Sequence, residues 1–445
     1  PAQRTTPANA QPPAAHSRVI PDHYIVQLRD SVANPRAVAQ EHASRHAAAV
    51  SHVYTDALRG YAARIPSNRL AALRDDPRVL SISEDREVHA VAQSIPTGVA
   101  RIQPRNSSGA IDSTRAWARI DGTDDRLDVD IAILDTGLWK SGHEDLRTAG
   151  GYNCMSSDRN AWNDGHGHGT HVAGSAAAID NDKGVVGVAP GARLWAVKVL
   201  SNSGSGSSST ILCGIDYVTK RNNGTIAGGR IEVANMSLGG WRENFRDDGN
   251  CGRSTNFRDS VHAAICNSIT SGTTYTAAAG NDNWAMEDEK WMFWPAAYNE
   301  VLAVTAIADF NGRAGGGASA TCRSDVDDTT ADFSDFAANP PVTGRTDDRA
   351  HTIAAPGVCI RSTYKGSSSS YATMSGTSMA SPHAAGLAAL YKVRNQGATP
   401  ATIIGALRNG AYGQPDHPTY DYRYAPYRNG SNTSGYYHHM EIAGS

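Results

Sequence analysis

Short, nearly continuous apolar runs alternate with longer segments of helical period between residues 129 and 407 of the chain. Such runs are typical of strands that are buried on both faces, and the segments between them are typical of covering helices. The predicted strands are residues 129–135, 193–200, 231–238, 274–279, 301–307 and 351–354. The predicted helices are residues 170–179, 208–222, 256–270, 378–393 and 399–407. Together they predict an α/β fold with a mostly parallel, doubly covered sheet.

The N-terminal part of the chain has a different order of elements. Residues 24–28 predict a strand, 35–49 a helix, 52–65 a strand pair, 68–74 a short helix and 79–91 a last extended run. The order β-α-β-β-α-β is that of a small ferredoxin-like α+β domain. We therefore expect one such domain at residues 22–91, followed by the larger α/β domain at residues 92–445.

The two ends of the chain lack these patterns. Residues 1–21 are polar and rich in proline, which predicts a disordered leader. Residues 417–445 are rich in Tyr, His and Asn and have no readable period, so they are expected to form an irregular C-terminal extension of the larger domain.

Composition limits the classes of function. The chain has 445 residues, 40% of them apolar and 19% charged, with a net charge of −3. No apolar run is long enough to span a membrane, and the scattered Lys and Arg residues form no nucleic-acid footprint. We expect a monomer that binds neither membranes nor nucleic acids.

Six cysteines are present, and none of them has the CxxC spacing of a zinc ribbon. Their even number predicts three disulfides in an oxidising compartment, and buried free thiols are the alternative. Chain order pairs Cys154 with Cys213, Cys251 with Cys266, and Cys322 with Cys359.

Ser378 lies between small residues and is followed by an apolar, helix-like segment. A hydroxyl at a helix N-terminus lies beside free N–H groups and the positive end of the helix dipole, where an oxyanion would be stabilised. The alternative is an ordinary Ser/Thr cap on a packing helix. Because serine alone is a weak nucleophile, a catalytic role requires a base, an orienting group and a second oxyanion donor.

Three further residues occupy positions where such groups are expected. Asp135 ends a predicted strand, and Asn281 follows another, at the edge where parallel sheets bind ligands. His168 begins a predicted helix and has His166 and His171 beside it. Three clustered histidines also suggest zinc. However, residues at positions i, i+2 and i+5 do not lie on one face of a helix, and no HExxH pattern is present.

The motifs around these residues are Asp-Thr-Gly (135–137), His-Gly-Thr-His-Val-Ala-Gly (168–174), Ala-Ala-Gly-Asn (278–281) and Gly-Thr-Ser-Met-Ala-Ser-Pro-His (376–383). In this order they resemble the subtilisin-like serine peptidases. The resemblance implies that Ser378 is the nucleophile, His168 the general base and Asp135 the group that orients the imidazole. It also implies an oxyanion hole made by Asn281 and the Ser378 backbone N–H, and a structural role for His171.

The resemblance extends to substrate binding. It implies that an extended polypeptide pairs with the backbone of a strand containing Ser237, Leu238 and Gly239, and that Ala279 and Gly280 form further contacts. Broad polypeptide specificity follows from such backbone pairing. The far wall of the S1 pocket is expected at residues 284–295, where Trp291, Phe293 and Trp294 are bulkier than is usual in the family and predict a narrowed or reshaped pocket.

Residues 22–91 resemble the inhibitory propeptide of the same family. This implies a secreted, self-processing zymogen whose own propeptide acts as an intramolecular inhibitor. The residues after position 91 resemble a mature N-terminus, so self-cleavage is expected between Val91 and Ala92.

Calcium is the cofactor that the resemblance implies. Residues 179–185 resemble the calcium loop of the family, and calcium prefers six to eight oxygen ligands. The candidate ligands are Gln93, Asp145, Asn181 and the backbone carbonyls of Ile179, Lys183 and Val185. The acidic residues 325–335 suggest a second site, with a solvated acidic loop as the alternative.

The leading hypothesis is therefore a calcium-stabilised serine endopeptidase. A catalytically silent binding module on the same fold is one alternative, and the presence of all four catalytic residue types argues against it. A metallohydrolase is another, which a zinc-selective chelator would inhibit whereas a serine-directed reagent would not.

Overall fold

The computed structural model describes residues 19–55, 58–86, 93–102, 120, 122, 126–247, 249–253, 259–288, 290–313, 317–339, 348–412 and 434–436. The chain divides into two compact units between residues 90 and 91. Val91 and Ala92, most of the predicted leader and most of the predicted C-terminal extension lie outside the described residues.

The first unit is a four-stranded antiparallel sheet with two helices. Its elements are β1 (Val19–Leu28), α1 (Pro35–His46), β2 (Ala49–Tyr54), β3 (Gly60–Arg64), α2 (Leu70–Arg74) and β4 (Val79–Arg86). The strand order is β2-β3-β1-β4, which confirms the predicted ferredoxin-like arrangement. Strand β1 begins before the predicted boundary at residue 22, because residues from Val19 onwards already extend along β4.

The second unit contains the remaining elements. The helices are α3 (Thr97–Arg101), α4 (His168–Ala177), α5 (Ser208–Asn222), α6 (Ser260–Thr270), α7 (Thr377–Arg394) and α8 (Pro400–Tyr412). The first strands are β5 (Asp130–Asp135), β6 (Thr148–Asn153), β7 (Arg193–Lys198), β8 (Val233–Met236), β9 (Gly240–Glu243) and β10 (Thr274–Ala278). The others are β11 (Trp291–Trp294), β12 (Leu302–Ala308), β13 (Thr329–Thr330), β14 (Ala337–Asn339), β15 (Thr352–Pro356), β16 (Ile360–Thr363), β17 (Tyr371–Met374) and β18 (Ser434–Tyr436).

The central sheet has the order β6-β7-β5-β8-β10-β12-β15, and every one of these neighbours is parallel. The short strand β13 adds an antiparallel pairing at the end of β12. This arrangement confirms the predicted α/β class. Strand β18 is a difference from the sequence prediction, because residues 434–436 were expected to be irregular and instead pair with β14.

The sheet is covered on both faces, as the continuous apolar strands predict. Alternate residues of β5 point to opposite faces: Ile131 and Ile133 pack with α4 and α7, whereas Ala132 and Leu134 pack with α5 and α6. All four side chains are fully buried, and burial of each large one contributes about 1.5–3 kcal/mol. Because the strands are parallel, β5, β8 and β10 all end at the edge where α4 and α7 begin.

Three disulfides join Cys154 with Cys213, Cys251 with Cys266, and Cys322 with Cys359. These are the pairs expected from chain order. None of the helices in the described part of the chain is long and apolar enough to cross a membrane.

Candidate active site

Asp135 and His168 form a hydrogen-bonded pair at the edge of the sheet where the parallel strands end. Asp135 is the last residue of β5 and is fully buried, and His168 is the first residue of α4. The imidazole Nδ1 lies 2.8 Å and 2.9 Å from the two carboxylate oxygens of Asp135. Because a carboxylate only accepts hydrogen bonds, Nδ1 carries the proton and Nε2 is left as a base.

The environment of His168 favours its charged form. Burial of the ring opposes protonation, but the adjacent Asp135 carboxylate outweighs it and raises the pKa of His168 above its ordinary value. The side chain keeps 16% of its surface exposed, so one edge of the ring still reaches the solvent. The arrangement suits an imidazole that gains a proton during a reaction and returns it afterwards.

Asp164, which the sequence analysis did not single out, holds the start of α4 in place. Its buried carboxylate accepts hydrogen bonds from the backbone N–H groups of His166, Gly167 and Thr170 at 2.7–2.9 Å, and from the Thr170 hydroxyl at 2.6 Å. Burial alone would raise the pKa of Asp164, but these donors outweigh it and the pKa lies below the usual range. An acidic residue just before a helix is a recognisable N-terminal signal, so the sequence did contain a clue.

Asp164 also connects the helix with the strand that carries Asp135. The hydroxyl of Thr136, the residue after Asp135, donates to Asp164 at 2.9 Å and accepts the Gly169 N–H at 3.0 Å. The buried ammonium of Lys198 donates to the Thr136 carbonyl. These bonds fix the relative positions of β5 and α4, and therefore of the two paired side chains.

Ser378 is the second residue of α7, where its backbone N–H has no acceptor within the helix. The preceding Gly376 has φ 154° and ψ 160°, a region that is essentially restricted to glycine. Among the described residues, the Ser378 hydroxyl donates to the carbonyl of Ser237 at 3.3 Å rather than to His168. The Ser378–His168 hydrogen bond expected from the sequence is of the kind that often tightens only when substrate binds.

A buried network of hydrogen bonds holds the backbone of Ser378 in place. The Ser237 hydroxyl donates to the Ser378 carbonyl at 2.7 Å and accepts from the Asn235 amide at 3.0 Å. The Asn235 amide oxygen in turn accepts the hydroxyls of Ser381 at 2.8 Å and Thr276 at 3.0 Å. The network joins β8, β10 and α7, and the sequence analysis missed it because its members are far apart in the chain.

Asn281 presents its amide N–H₂ group beside Ser378. Its Oδ1 accepts the Thr377 backbone N–H at 2.8 Å, and since that N–H can only donate, the amide orientation is determined. Within the described part of the chain the Nδ2 group has no hydrogen-bond partner. A Cβ on Gly376 would lie 3.6 Å from Asn281 Oδ1, 3.9 Å from Asn281 Nδ2 and 3.7 Å from the Ser378 N, so the Asn281 amide and the Ser378 N–H lie on the same side of Gly376.

Asp335 holds the segment that follows Asn281. One oxygen of this fully buried carboxylate accepts the backbone N–H groups of Asp282 at 2.8 Å and Trp284 at 2.9 Å. Burial raises the pKa of Asp335 to about 8, although these donors oppose the shift. Asp335 is therefore a second positioning residue, whereas the sequence placed it only within the acidic run suggested as a second calcium site.

A cleft of about 710 Å³ runs along these residues. Its lining includes His166, His168, Ser237, Leu238, Gly239, Gly240 and Trp294, together with residues 203–208. The three residues expected to pair with substrate backbone therefore line the same cleft as the imidazole. Ala279 is fully buried, and Gly280 bonds through its N–H to the Thr377 hydroxyl at 3.2 Å.

Phe293 fills the space between the two segments that were expected to form the S1 walls. It is only 7% exposed, and a Cβ added to Gly239 or Gly280 would lie 2.4 Å or 3.2 Å from its ring. The ring therefore packs directly against both glycines. Trp294 faces the main cleft, whereas Trp291 lines a separate pocket.

The predicted calcium ligands converge on one place in the second unit. Gln93 Nε2 donates to the Ile179 carbonyl at 2.8 Å and the Val185 carbonyl at 3.4 Å, and Asn181 Nδ2 lies 3.2 Å from Asp145 Oδ1. Gln93 thus directs its N–H₂ group at two carbonyl oxygens, and a 180° flip of its amide would direct its own oxygen there instead. The Lys183 N–H donates to Asn181 Oδ1 at 3.1 Å.

The donor set fits a hard cation. Asp145 is fully buried, and its second carboxylate oxygen accepts from the Val185 N–H at 3.0 Å and the Tyr371 hydroxyl at 2.8 Å. Burial raises the pKa of Asp145 despite these donors. One carboxylate, two amides and several carbonyls are oxygen ligands of the kind that calcium prefers.

The acidic run at residues 325–335 contributes to a second cluster. The carboxylates of Asp327 and Asp328 lie with that of Asp309 within 4.8 Å of one another, and all three are buried. Arg101 forms ion pairs with Asp309, at 2.9 Å, and with Asp328. An arginine already bonded to two of the carboxylates favours a structural ion pair at this place.

The neighbouring histidines are neutral structural residues. His171 bonds through Nε2 to the carbonyls of Ile360 and Ala372, and burial lowers its pKa to about 3. His383 donates from Nδ1 to the Met379 carbonyl, and burial lowers its pKa to about 4. In the described ranges the three histidines 166, 168 and 171 form no metal-ligating group.

Comparison with known proteins finds relatives for both units of the chain. Residues 127–433 match the model of the Subtilase family, and residues 23–90 match that of Peptidase inhibitor I9. M-protease of Shouchella clausii (strain KSM-K16) is 36% identical over 343 residues, covering 77% of this chain and 71% of that protein. Subtilisin E of Bacillus subtilis (strain 168) is 33% identical over 352 residues, covering 79% and 74%. The crystal structure of a cold adapted subtilisin-like serine proteinase aligns with a TM-score of 0.52 and 28% identity, covering 78% of this chain and 98% of that one.

Proposed function

Because the chain belongs to the Subtilase family of serine peptidases, we propose that it is a serine endopeptidase that cleaves polypeptides through an acyl-enzyme on Ser378. The observation that carries the proposal is the Asp135–His168 pair, which shares one cleft with the Ser237 segment that binds Ser378. Substrate polypeptides would lie along that segment as an added extended strand, with the scissile carbonyl beside Ser378.

The first half of the reaction forms the acyl-enzyme. His168 Nε2 removes the proton from the Ser378 hydroxyl while Oγ attacks the scissile carbonyl carbon. The carbonyl oxygen becomes an oxyanion, which accepts hydrogen bonds from Asn281 Nδ2 and the Ser378 N–H. When the C–N bond breaks, the imidazolium gives its proton to the leaving amine, and the acyl group stays on Oγ.

The second half releases the product. A water molecule enters in place of the amine, and His168 takes one of its protons as the oxygen attacks the acyl carbon. The second tetrahedral intermediate uses the same two donors, and its collapse returns the proton to Ser378 Oγ. Asp135 remains ionised throughout and stabilises the imidazolium that forms in each half.

The test of this proposal is covalent labelling with a fluorophosphonate probe. Active-site serines of this type react with such probes, whereas a silent binding module or a metallohydrolase would not. We expect one label per chain, on Ser378, located by peptide mass spectrometry. A chain that hydrolyses casein without being labelled would contradict the serine mechanism.

Replacing Asn281 is expected to slow the chemical step. Asn281→Ala removes one oxyanion donor and should lower kcat by about 10²–10³ with little change in KM. Asn281→Asp is the sharper variant, because its oxygen can still accept the Thr377 N–H while the donor is lost. Steady-state kinetics on a peptide p-nitroanilide would measure both. An unchanged kcat in both variants would remove Asn281 from the oxyanion hole.

The N-terminal unit is proposed to be an intramolecular inhibitor and folding template. Residues 23–90 match an inhibitor family, and a largely parallel, non-local sheet is slow to form without help. We propose that the chain cleaves itself between Val91 and Ala92. The three disulfides support secretion into an oxidising compartment.

Calcium is proposed as a structural cofactor held by Gln93, Asp145, Asn181 and the carbonyls of Ile179 and Val185, with the Lys183 carbonyl as a further candidate. Its chemistry there is electrostatic, since it would neutralise a buried carboxylate and tie residues 179–185 to the segment containing Gln93 and Ser94.

Calcium removal is expected to destabilise the protein. At about a hundredfold excess over Kd, bound calcium adds about 2.7 kcal/mol to the folded state, so EGTA should lower the Tm by several degrees. In Asp145→Asn the Tm should depend much less on calcium, whereas Asp216→Asn, at an exposed site on α5, should behave as the parent does. Thermal melts with and without calcium measure this, and a parent Tm that ignores calcium would contradict the site.

A further inference from the structure

A second, smaller pocket of about 250 Å³ lies beside the candidate active site. It is lined by the indole rings of Trp241, Trp284 and Trp291 together with Asp282, and we refer to it as the tryptophan pocket. Trp241 belongs to β9 and Trp291 to β11, and these two strands pair antiparallel. The other two residues follow Asn281 in the chain.

The tryptophan pocket adjoins both segments that are proposed to hold the substrate. Asp282 comes directly after the oxyanion residue Asn281, and Trp241 follows closely after Gly239. The Trp241 ring packs edge-on against Phe293, with ring centroids 5.1 Å apart. Since Phe293 itself packs against Gly239 and Gly280, the wall of the tryptophan pocket continues directly into the residues that contact the substrate strands.

The pocket combines aromatic faces with an oriented negative charge. Trp241 Nε1 donates to Asp282 Oδ2 at 2.7 Å, and Trp284 Nε1 donates to Asp288 Oδ2 at 2.8 Å. In the part of the chain that the structure describes, the other oxygen of Asp282 has no hydrogen-bond partner. The indole N–H groups of Trp241 and Trp284 therefore each hold a carboxylate by a hydrogen bond, and the faces of the two rings remain available to a ligand.

Two carboxylates are placed at the pocket by the described residues: Asp282 lines it, and Asp288 accepts the Trp284 indole N–H. Lys290 lies 5.4 Å from the Trp291 ring centroid, but its ammonium is paired with Glu243 at 2.8 Å. Asp282 has no ion-pair partner among the residues that the structure describes, and a ligand that brings a positive charge would supply one.

On this basis we propose that the tryptophan pocket binds the side chain of a lysine or arginine in the substrate polypeptide. This substrate lysine or arginine is the residue that supplies the scissile carbonyl. Its carbonyl oxygen must lie at Asn281, and Asp282 is the next residue of the protein chain. The methylene stem would lie along the indole faces, and the charged end would be held by cation–π attraction and by the Asp282 carboxylate. The inference rests on the proposed peptidase function and adds a substrate class to it.

The test compares three peptide p-nitroanilides that differ only in the residue before the scissile bond: lysine, norleucine and phenylalanine. Norleucine has the stem of lysine without its ammonium group. We expect kcat/KM for lysine to exceed that for norleucine at least about tenfold, which corresponds to about 1.4 kcal/mol, and to exceed that for phenylalanine as well.

Asp282→Asn isolates the charge, because its amide oxygen can still accept the Trp241 N–H. It should lower kcat/KM for lysine about tenfold and leave norleucine nearly unchanged. Trp284→Leu should likewise reduce the preference for lysine. Asp216→Asn loses the same charge far along the chain on α5 and should retain the parent's preference.

The outcomes separate the two proposals. If the parent cleaves norleucine or phenylalanine as well as lysine, or if Asp282→Asn slows all three substrates equally, the tryptophan pocket is not a cation site. If no substrate is cleaved and the fluorophosphonate does not label Ser378, it is the peptidase function that fails. Labelling of each variant by the same probe shows that its active site is folded.

Discussion

The Ser378→Ala chain is expected to lose about 10⁶-fold in kcat and to remain a single uncleaved polypeptide. Removal of Oγ takes away the atom that forms the acyl bond, and the remaining donors can only polarise the carbonyl. The backbone of α7 should be unaffected. The variant loses the bond from the Ser378 hydroxyl to the Ser237 carbonyl but keeps the bond from the Ser237 hydroxyl to the backbone carbonyl of residue 378. The loss should therefore appear in activity and processing and not in the Tm.

The experiment requires that no other peptidase be present. Parent and variant chains would be unfolded in denaturant, purified, refolded with calcium and followed by mass spectrometry and casein hydrolysis. Ser367→Ala, in an exposed loop, is the matched control and should process normally. Cleavage near Val91 in the refolded Ser378→Ala chain would show that processing is not self-cleavage.

Most of the fold follows from patterns that are local in the sequence. Strands β5 and β12 are nearly continuous apolar runs, so their burial on both faces was predictable. Strand β6 was not predicted, because it contains Gly150 and Gly151 in place of apolar residues. A Cβ at these positions would lie 2.7 Å from the Trp195 ring and 2.6 Å from the Trp162 ring, so the indoles occupy the space that side chains of β6 would need.

In the candidate active site, too, some residues were predictable from the sequence and others were not. Asp135, His168, Asn281 and Ser378 lie at element ends within recognisable motifs, and motif order made them predictable. The residues that position them were missed, since Asn235, Thr276 and Ser381 act through contacts between separate elements. The tryptophan pocket illustrates the same limit. Trp291 was singled out as bulky from the sequence, but only the pairing of β9 with β11 places Trp241 beside Phe293.

The Asp135→Asn variant is expected to lose about 10⁴-fold in kcat at neutral pH. The asparagine amide would donate to His168 Nδ1, so the imidazole would carry its proton on Nε2 and could not accept the Ser378 proton. Because Asp135 is fully buried at the end of β5, it does not touch the substrate and KM should change little. Asp216→Asn again serves as the control for the loss of one carboxylate.

The pH dependence of kcat/KM provides an independent measurement of the Asp135–His168 interaction. General-base catalysis needs neutral His168, so kcat/KM of the parent should fall as the pH drops through the pKa of this imidazole. Asp135 raises that pKa, and the acid limb should therefore lie above the ordinary imidazole value of about 6.5. Without the carboxylate, burial lowers the pKa and the residual activity of Asp135→Asn should persist to lower pH. An acid limb at the same pH in both chains would show that Asp135 does not govern the charge of His168, because only its loss separates the two profiles.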